Sequence, residues 1–362
     1  MRRWAWLERD GAAFLNNLEM LSRRGGQGVM AVLKANAYGH GALWAARLAA
    51  GAGAAAIAVA TADEALSLRQ AGIALPILVL GSVPKEAVPD LVRAKVALSV
   101  HQSGQVSDLA QAVSPGETLG VHLMVDTGMH RLGVAPDEAA TVAAALHAEP
   151  GLCLEGLYTH LATADSDEGA ANAQLRRFSL AVAKVVPRPP LVHALNSAGI
   201  LRLRCELANL VRPGIALYGL SPFGEGTPPE GLRPVLRLFA RAVQVHRLAA
   251  GDGVGYGFSY VADRPVQVAV LPLGYADGYP RQVGGKAEVL WRGKRHPIVG
   301  RVSMDMLAVA LPADHPVEVG DLFTLIGQDG NEQIFADQLA ALAGTIGYDL
   351  VCGLGQRLEF SD

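Results

Sequence analysis

Cysteine is scarce. Three cysteines, Cys153, Cys205 and Cys352, are scattered through 362 residues without the close spacing of a zinc ligand set and in too small a number for a disulfide framework. They read as small apolar fillers in a reducing compartment. An excess of charge is absent too: the formal net charge is −3, which gives no reason to expect a nucleic acid or another polyanion as partner. No uninterrupted apolar run reaches the roughly 18 residues of a membrane span. The opening "MRRWAWLERDGAAFLNN" carries charges where a secretory signal needs an apolar centre. The expectation is a cytoplasmic protein without a nucleic-acid or membrane partner. At roughly 150 residues per domain, the length predicts two domains.

What is present is a rhythm of short apolar runs. "GVMAVLK" (28–34), "AAIAVA" (55–60), "PILVLG" (76–81) and "VALSV" (96–100) come first, then "GVHLMVD" (120–126), "EGLYTH" (155–160), "PLVHALN" (190–196) and "NLVRPGIALYG" (209–219). Runs apolar on both faces suit the strands of a parallel sheet. Helical stretches separate them. "TADEALSLRQAG" opens with a Thr61/Glu64 capping box and stops at Gly72. "PDEAATVAAALHAEPG" has acidic residues at its start and a Pro-Gly stop. Strand–helix units of this number match a (β/α)₈ barrel. The count alone leaves a doubly wound open sheet as the competitor. Near residue 232 the rhythm changes to Val-rich alternating runs with Gly-rich turns, which predicts a mostly antiparallel β domain interrupted by one helix, "IFADQLAALAG". The expected domains are 8–232 and 233–362, with residues 1–7 pairing with the second.

Active sites of such barrels lie where the strands end. Those ends carry Lys34 and Tyr38, Asp126 and Arg131, His160, then Asn196 and Ser197, with Arg212 just before Gly214. Barrels often hold a phosphate with the loops after strands seven and eight and a short helix N-terminus. "NSAGI" follows the seventh run, with Ser197 as a natural N-cap, and Gly214 and Ile215 offer backbone N–H groups. A phosphate there and a lysine from the first strand point to a phosphorylated aldehyde held as a Schiff base, hence to pyridoxal phosphate.

Nine motifs in order then carry a resemblance over nearly the whole chain: "VLKANAYGHG", "VDTGMHRLG", "YTHLATAD", "HALNSAG", "VRPGIALYGL", "VGYGFSY", "LPLGYADG", "IVGRVSMDM" and "GYDLVCGLGQR". The sequence resembles alanine racemases. The resemblance implies a pyridoxal-phosphate (β/α)₈ TIM barrel plus a C-terminal mostly antiparallel β domain, a head-to-tail homodimer with shared sites, and interconversion of L- and D-alanine for peptidoglycan. Lys34 resembles the lysine that carries the cofactor and acts as base on D-alanine. Tyr256, from the other subunit, resembles the opposite base, acting on L-alanine. Arg212 is implied at the pyridine nitrogen. Tyr38, Ser197, Gly214, Ile215 and Tyr348 are implied around the phosphate, and Arg131 with the Met304 region at the substrate carboxylate. His160 is implied to link Tyr256 and Arg212, and Asp305 and Tyr275 to stand behind the site or at its entrance. Two bases suit a reaction that removes a proton from one face and returns it on the other. An ordinary phenol titrates near about 10, so ionising one at neutral pH calls for cationic neighbours.

One position departs from the family pattern. Many members carry a carbamylated lysine seven residues before the carboxylate-binding arginine, and here that position is Met124. No carbamate forms on a thioether, so a bound anion such as chloride, or other contacts, must orient Arg131. Three other activities compete. A racemase of broader or serine-preferring specificity differs only in the substrate pocket. A decarboxylase of the same barrel class would place a carboxylate, rather than Arg212, at the pyridine nitrogen. A non-catalytic pyridoxal-phosphate carrier would have the barrel alone.

Overall fold

The computed structural model describes residues 3–26, 28–224, 226–355 and 357–361. Contacts divide the chain into two compact units. One unit comprises Leu15–Ala37 and Gly41–Leu217. The other comprises the chain up to Phe14, Tyr38–His40, and the chain from Tyr218 onward.

The chain opens with strand β1 (Ala5–Arg9). The first unit is then built on eight parallel strands: β2 (Gly28–Val32), β3 (Ala56–Val59), β4 (Ile77–Val79), β5 (Val96–Val100), β6 (Leu119–Met124), β7 (Leu152–Tyr158), β8 (Leu191–His193) and β9 (Leu210–Val211). They form a closed barrel in chain order, and β9 returns to β2 through Gly28↔Leu210 and Val29↔Val211. Closure excludes the open sheet. It also explains the two-faced apolar runs, since one face fills the interior and the other packs under helices. The predicted capping box is present: Thr61 Oγ accepts from Glu64 N (3.3 Å) and Glu64 accepts from Thr61 N (3.3 Å). The last run is shorter than its hydrophobicity suggested. Only Leu210–Val211 is strand, because Pro213 has no N–H to donate, although its carbonyl still accepts from Val32 N (3.0 Å).

The second unit is a large sheet whose further strands are β10 (Leu236–Arg241), β11 (Gln244–Leu248), β14 (Val266–Leu271), β15 (Glu288–Trp291), β16 (Lys294–Val299), β17 (Leu307–Pro312), β18 (Leu322–Asp329), β19 (Glu332–Ile334) and β20 (Glu359–Ser361). The order is β11-β14-β17-β16-β15-β18-β10-β1-β20, with β19 on β18. Strand β1 lies antiparallel to β10, with Leu7 opposite Leu238, and parallel to β20. A separate ribbon of β12 (Gly253–Val254) and β13 (Tyr260–Val261) carries the turn Tyr256–Phe258 at its tip. Its base packs on Ala262, Val266 and Val268.

Two expectations need correction. Among the described residues the unit has two α-helices rather than one, Ala336–Ala343 and Gly347–Gly353. Gly344 at φ 77° ends the first in the left-handed conformation, and the chain restarts as a helix three residues later. The cysteines are not buried: Cys153 and Cys352 are exposed and Cys205 is half-buried. Cys153 falls on the outward position of β7, between buried Leu152 and Leu154. Among the described residues, no helix is long and apolar enough to cross a membrane.

Candidate active site

Lys34 begins a turn of unusual hand. Ala35, Asn36, Ala37 and Tyr38 all have φ of 52–55°, one turn of left-handed helix made without glycine. Such residues cost roughly 1–2 kcal/mol each, so the turn persists only because its surroundings hold it. Ala37 N donates to Leu33 O (2.8 Å), Gly41 N to Asn36 O (2.9 Å) and Ala42 N to the Asn36 side chain (2.8 Å). Glu64, besides capping its own helix, accepts from Ala35 N (2.6 Å) and Ala60 N (2.8 Å). The half-buried Lys34 therefore leaves the end of β2 from a fixed backbone.

Arg212 is buried in the barrel unit and held by several hydrogen bonds. It is 3% exposed and forms no ion pair with a carboxylate among the described residues. Its guanidinium donates to Thr159 O (2.7 Å), Ala194 O (3.3 Å) and His193 Nδ1 (2.8 Å), and lies 3.4 Å from His160 Nδ1. Burial lowers its pKa to about 10, so it remains a cation at neutral pH. That fixes protons further along. A guanidinium only donates, so His193 Nδ1 must accept, and its proton sits on Nε2. His193 Nε2 then donates to His122 Nδ1 at 2.8 Å. Burial, and then the Arg212 charge, push His122 down to about 3, and the same two causes lower His193. Gly156 makes room for this pair, since a Cβ there would lie 2.1 Å from His122 Nδ1. Tyr158 stacks on His193 with ring centroids 4.7 Å apart and donates to Ser99 Oγ (2.9 Å).

His160 is held neutral by the same physics. Burial first, then the charges of Arg212, Arg131 and Lys34, push its pKa down to about 3. Lys34, Arg131 and Arg212 thus each lie within electrostatic reach of His160. Asp126 faces elsewhere: its carboxylate accepts from the N–H groups of Gly128 (2.9 Å), Met129 (3.0 Å) and His130 (3.1 Å). Burial would raise its pKa, but these donors and His130 hold it below the ordinary value. Asp126 builds the loop that presents the exposed Arg131, which forms no ion pair among the described residues. Met124 is 4% exposed, at the end of β6.

Ser197 plays a different part from the N-cap expected of it. Asn196 is the cap, its side chain accepting from Gly199 N (2.9 Å). Ser197 Oγ instead accepts from Gly214 N (2.9 Å) and Ala216 N (3.2 Å), and Ile215 is buried between them. With two N–H groups on its oxygen, the hydroxyl proton is left to donate.

In the second unit, Tyr38 packs against Tyr218 and Tyr348 at ring-centroid distances of 5.2 and 6.0 Å. Burial raises the Tyr38 pKa, so its phenol is a neutral donor. Tyr256 is in the opposite condition, 72% exposed, with Phe258, Met304, Met306 and Tyr275 exposed as well. Asp305 pairs with Arg357 at 2.8 Å.

Comparison with known proteins decides the family. The sequence patterns of "alanine racemase, N-terminal domain" and "alanine racemase, C-terminal domain" match residues 10–222 and 235–361. The chain belongs to the alanine racemase family. It is 42% identical over 360 residues to the alanine racemase of Symbiobacterium thermophilum, covering 98% of this chain and 95% of that one. The crystal structure of alanine racemase from E. faecalis superposes with a TM-score of 0.93 at 37% identity, covering 99% and 98% of the two chains. A histidine racemase from Leuconostoc mesenteroides is similar in fold as well, with a TM-score of 0.91 at 30% identity and coverage of 99% and 98%.

Membership of the alanine racemase family makes the chain an isomerase. It also gives the buried polar chain a setting. His193, His122, Tyr158 and Ser99 were not among the residues singled out from sequence. Their signal was available: a histidine inside "LVH" and another inside "VHL" are polar interruptions of strands apolar on both faces.

Proposed function

We propose that the chain interconverts L- and D-alanine with pyridoxal phosphate as cofactor, supplying D-alanine for peptidoglycan in the cytoplasm. The observation that carries this reading is the gathering of Lys34, Arg131 and Arg212 around His160 in a closed barrel. Three barrel residues fit the cofactor. Lys34 supplies the amine that would hold its aldehyde, Ser197 an uncommitted O–H for its phosphate, and Arg212 a buried donor for its ring nitrogen. Gly214 and Ile215, and the phenols of Tyr38 and Tyr348, are proposed as further phosphate partners. When bound, the cofactor supplies an electron sink that acidifies the substrate α-proton.

The chain's own residues would do the rest. Arg212 keeps its protons at neutral pH, so it would hydrogen-bond the ring nitrogen without protonating it. That would moderate the sink and favour return of the proton to the same carbon. Lys34 is proposed as the base on one face and Tyr256 of a second copy as the base on the other. A phenol that is 72% exposed in its own chain gains a defined position only against another surface. Arg131 and the Met304 turn are proposed to take the substrate carboxylate, His160 to lie between Tyr256 and Arg212, and Asp305 and Tyr275 to border the entrance. The test is D/L interconversion by the purified protein on alanine, serine, lysine and histidine in parallel. Alanine turning over best supports the reading, and another substrate turning over at least tenfold faster would overturn it.

A further inference from the structure

Asp277 is a fully buried carboxylate that none of the chemistry above uses. It lies in the turn Gly274–Tyr279, and three parts of the second unit converge on it. Its Oδ2 accepts from Gly274 N (3.0 Å), which closes the turn on itself. Arg3, from the start of the chain, grips both carboxylate oxygens, with Nη2 3.2 Å from Oδ2, and donates to Pro272 O (2.9 Å) as well. Arg357, near the end of the chain, brings its Nε to 3.5 Å from Oδ1 and donates from Nη1 to Asp305 (2.8 Å).

The turn so fixed is the backing of the Met304 segment. Tyr275 N donates to Ser303 O (3.0 Å) and Ala276 N to Met304 O (3.0 Å). The two backbones are in such close contact that a Cβ on Gly274 would lie 2.3 Å from Ser303 O and 2.4 Å from Met304 O. On the other side a Cβ on Gly278 would lie 2.1 Å from Gly353 O, at the end of the helix that carries Tyr348. Residues 303–306 close a tight turn, with Ser303 Oγ donating to Met306 O (2.8 Å) and Met304 52% exposed at its tip. An exposed tip keeps one position only if its base is pinned. The pin is the carboxylate of Asp277, neutralised by two arginines from opposite ends of the chain.

We propose that Asp277, with Arg3, is a positioning residue for the substrate-carboxylate end of the site, acting through the backbone of Ser303 and Met304. The proposal rests on the reading of Arg131 and the Met304 turn as the carboxylate subsite. Asp277→Asn keeps an acceptor but leaves the Arg3 fork without its counter-charge. Misplacing a binding turn by a fraction of an ångström costs about tenfold.

The experiment compares holoenzymes of wild type, D277N, R3M and the double variant, normalised to bound cofactor, well below their melting temperatures. D277N should raise KM for both enantiomers about tenfold with kcat within about twofold. R3M should shift KM in the same direction by less, and the double variant should match D277N, because both act on one carboxylate. Propionate, which has the carboxylate but no amine, should inhibit wild type competitively and D277N about tenfold more weakly. A lower melting temperature with unchanged KM and unchanged propionate inhibition would overturn the role of Asp277. Absence of propionate competition in wild type would instead overturn the carboxylate-subsite reading. Should D277N not accumulate as holoenzyme, R3M is judged alone by the same criteria.

Discussion

The barrel and the C-terminal unit handle their polar chemistry in opposite ways. In the barrel, Arg212, His193 and His122 are almost wholly buried and cross-linked, with each proton assigned by its neighbour. In the C-terminal unit, Tyr256 and Met304 are 72% and 52% exposed at the tips of turns. Burial gives the barrel groups fixed geometry and shifted pKa values, because a charge there has little water to solvate it. Exposed tips lack such fixed geometry until something covers them. On the proposed reading, one unit holds an assembled half of a site, and the other displays groups for assembly elsewhere.

The largest blow to the assembled half is Lys34→Ala. It should abolish borohydride-reducible cofactor and lower turnover by at least on the order of 10³-fold. Full retention of reducible cofactor would remove Lys34 from its role. His193→Ala breaks the relay instead of the centre. It leaves a guanidinium N–H unpaired in the interior, which costs roughly 1–3 kcal/mol and should slow turnover about tenfold with KM little changed. Activity equal to wild type would mean that Arg212 is placed by its two carbonyl partners and His160.

Acid should separate the units further. His122 and His160 titrate near about 3 in the fold, against about 6.5 when unfolded. The unfolded chain therefore takes up these protons first as pH falls. The stability their neutral forms confer is complete above about pH 6.5 and is lost progressively towards about pH 3. The melting temperature should drop over that window, and less steeply in His122→Phe. An equal slope in the variant would assign the acid sensitivity to other groups.

The smallest effect concerns Arg131. With Met124 uncharged and no ion pair to Arg131 among the described residues, an anion from solution is the expected partner. Replacing chloride by a bulky anion at constant ionic strength should raise KM for alanine a few-fold, on the order of an exposed ion pair. Indifference to chloride would leave Arg131 oriented by protein contacts alone.

Much of this organisation was legible beforehand, for identifiable reasons. The barrel was readable because strands buried on both faces leave continuous Val, Ala and Leu runs, and Lys34 because it breaks the first of them. The left-handed turn after Lys34 was not readable. Ala35 and Ala37 carry no local signal for positive φ, and the conformation is held by Glu64 from outside the turn and by the Asn36 side chain within it. Ser197 was read as a cap because its type and position suit one, yet Asn196 beside it is equally suited and reaches Gly199 N. The Asp277 pin escaped notice because Arg3 and Arg357 are more than 350 residues apart and meet only through the sheet that brings β1 beside β20.

Mixing two inactive variants tests the contrast most directly. Lys34→Ala and Tyr256→Phe are each purified, combined in equal amounts and allowed to exchange subunits, with exchange followed by mass spectrometry. If Tyr256 serves the barrel of another copy, each mixed dimer contains one site with both bases intact. Half of the dimers are then mixed and half of their sites are whole, so about a quarter of wild-type activity should return. Complete exchange without recovery would contradict the account, because it would mean that both bases come from the same chain.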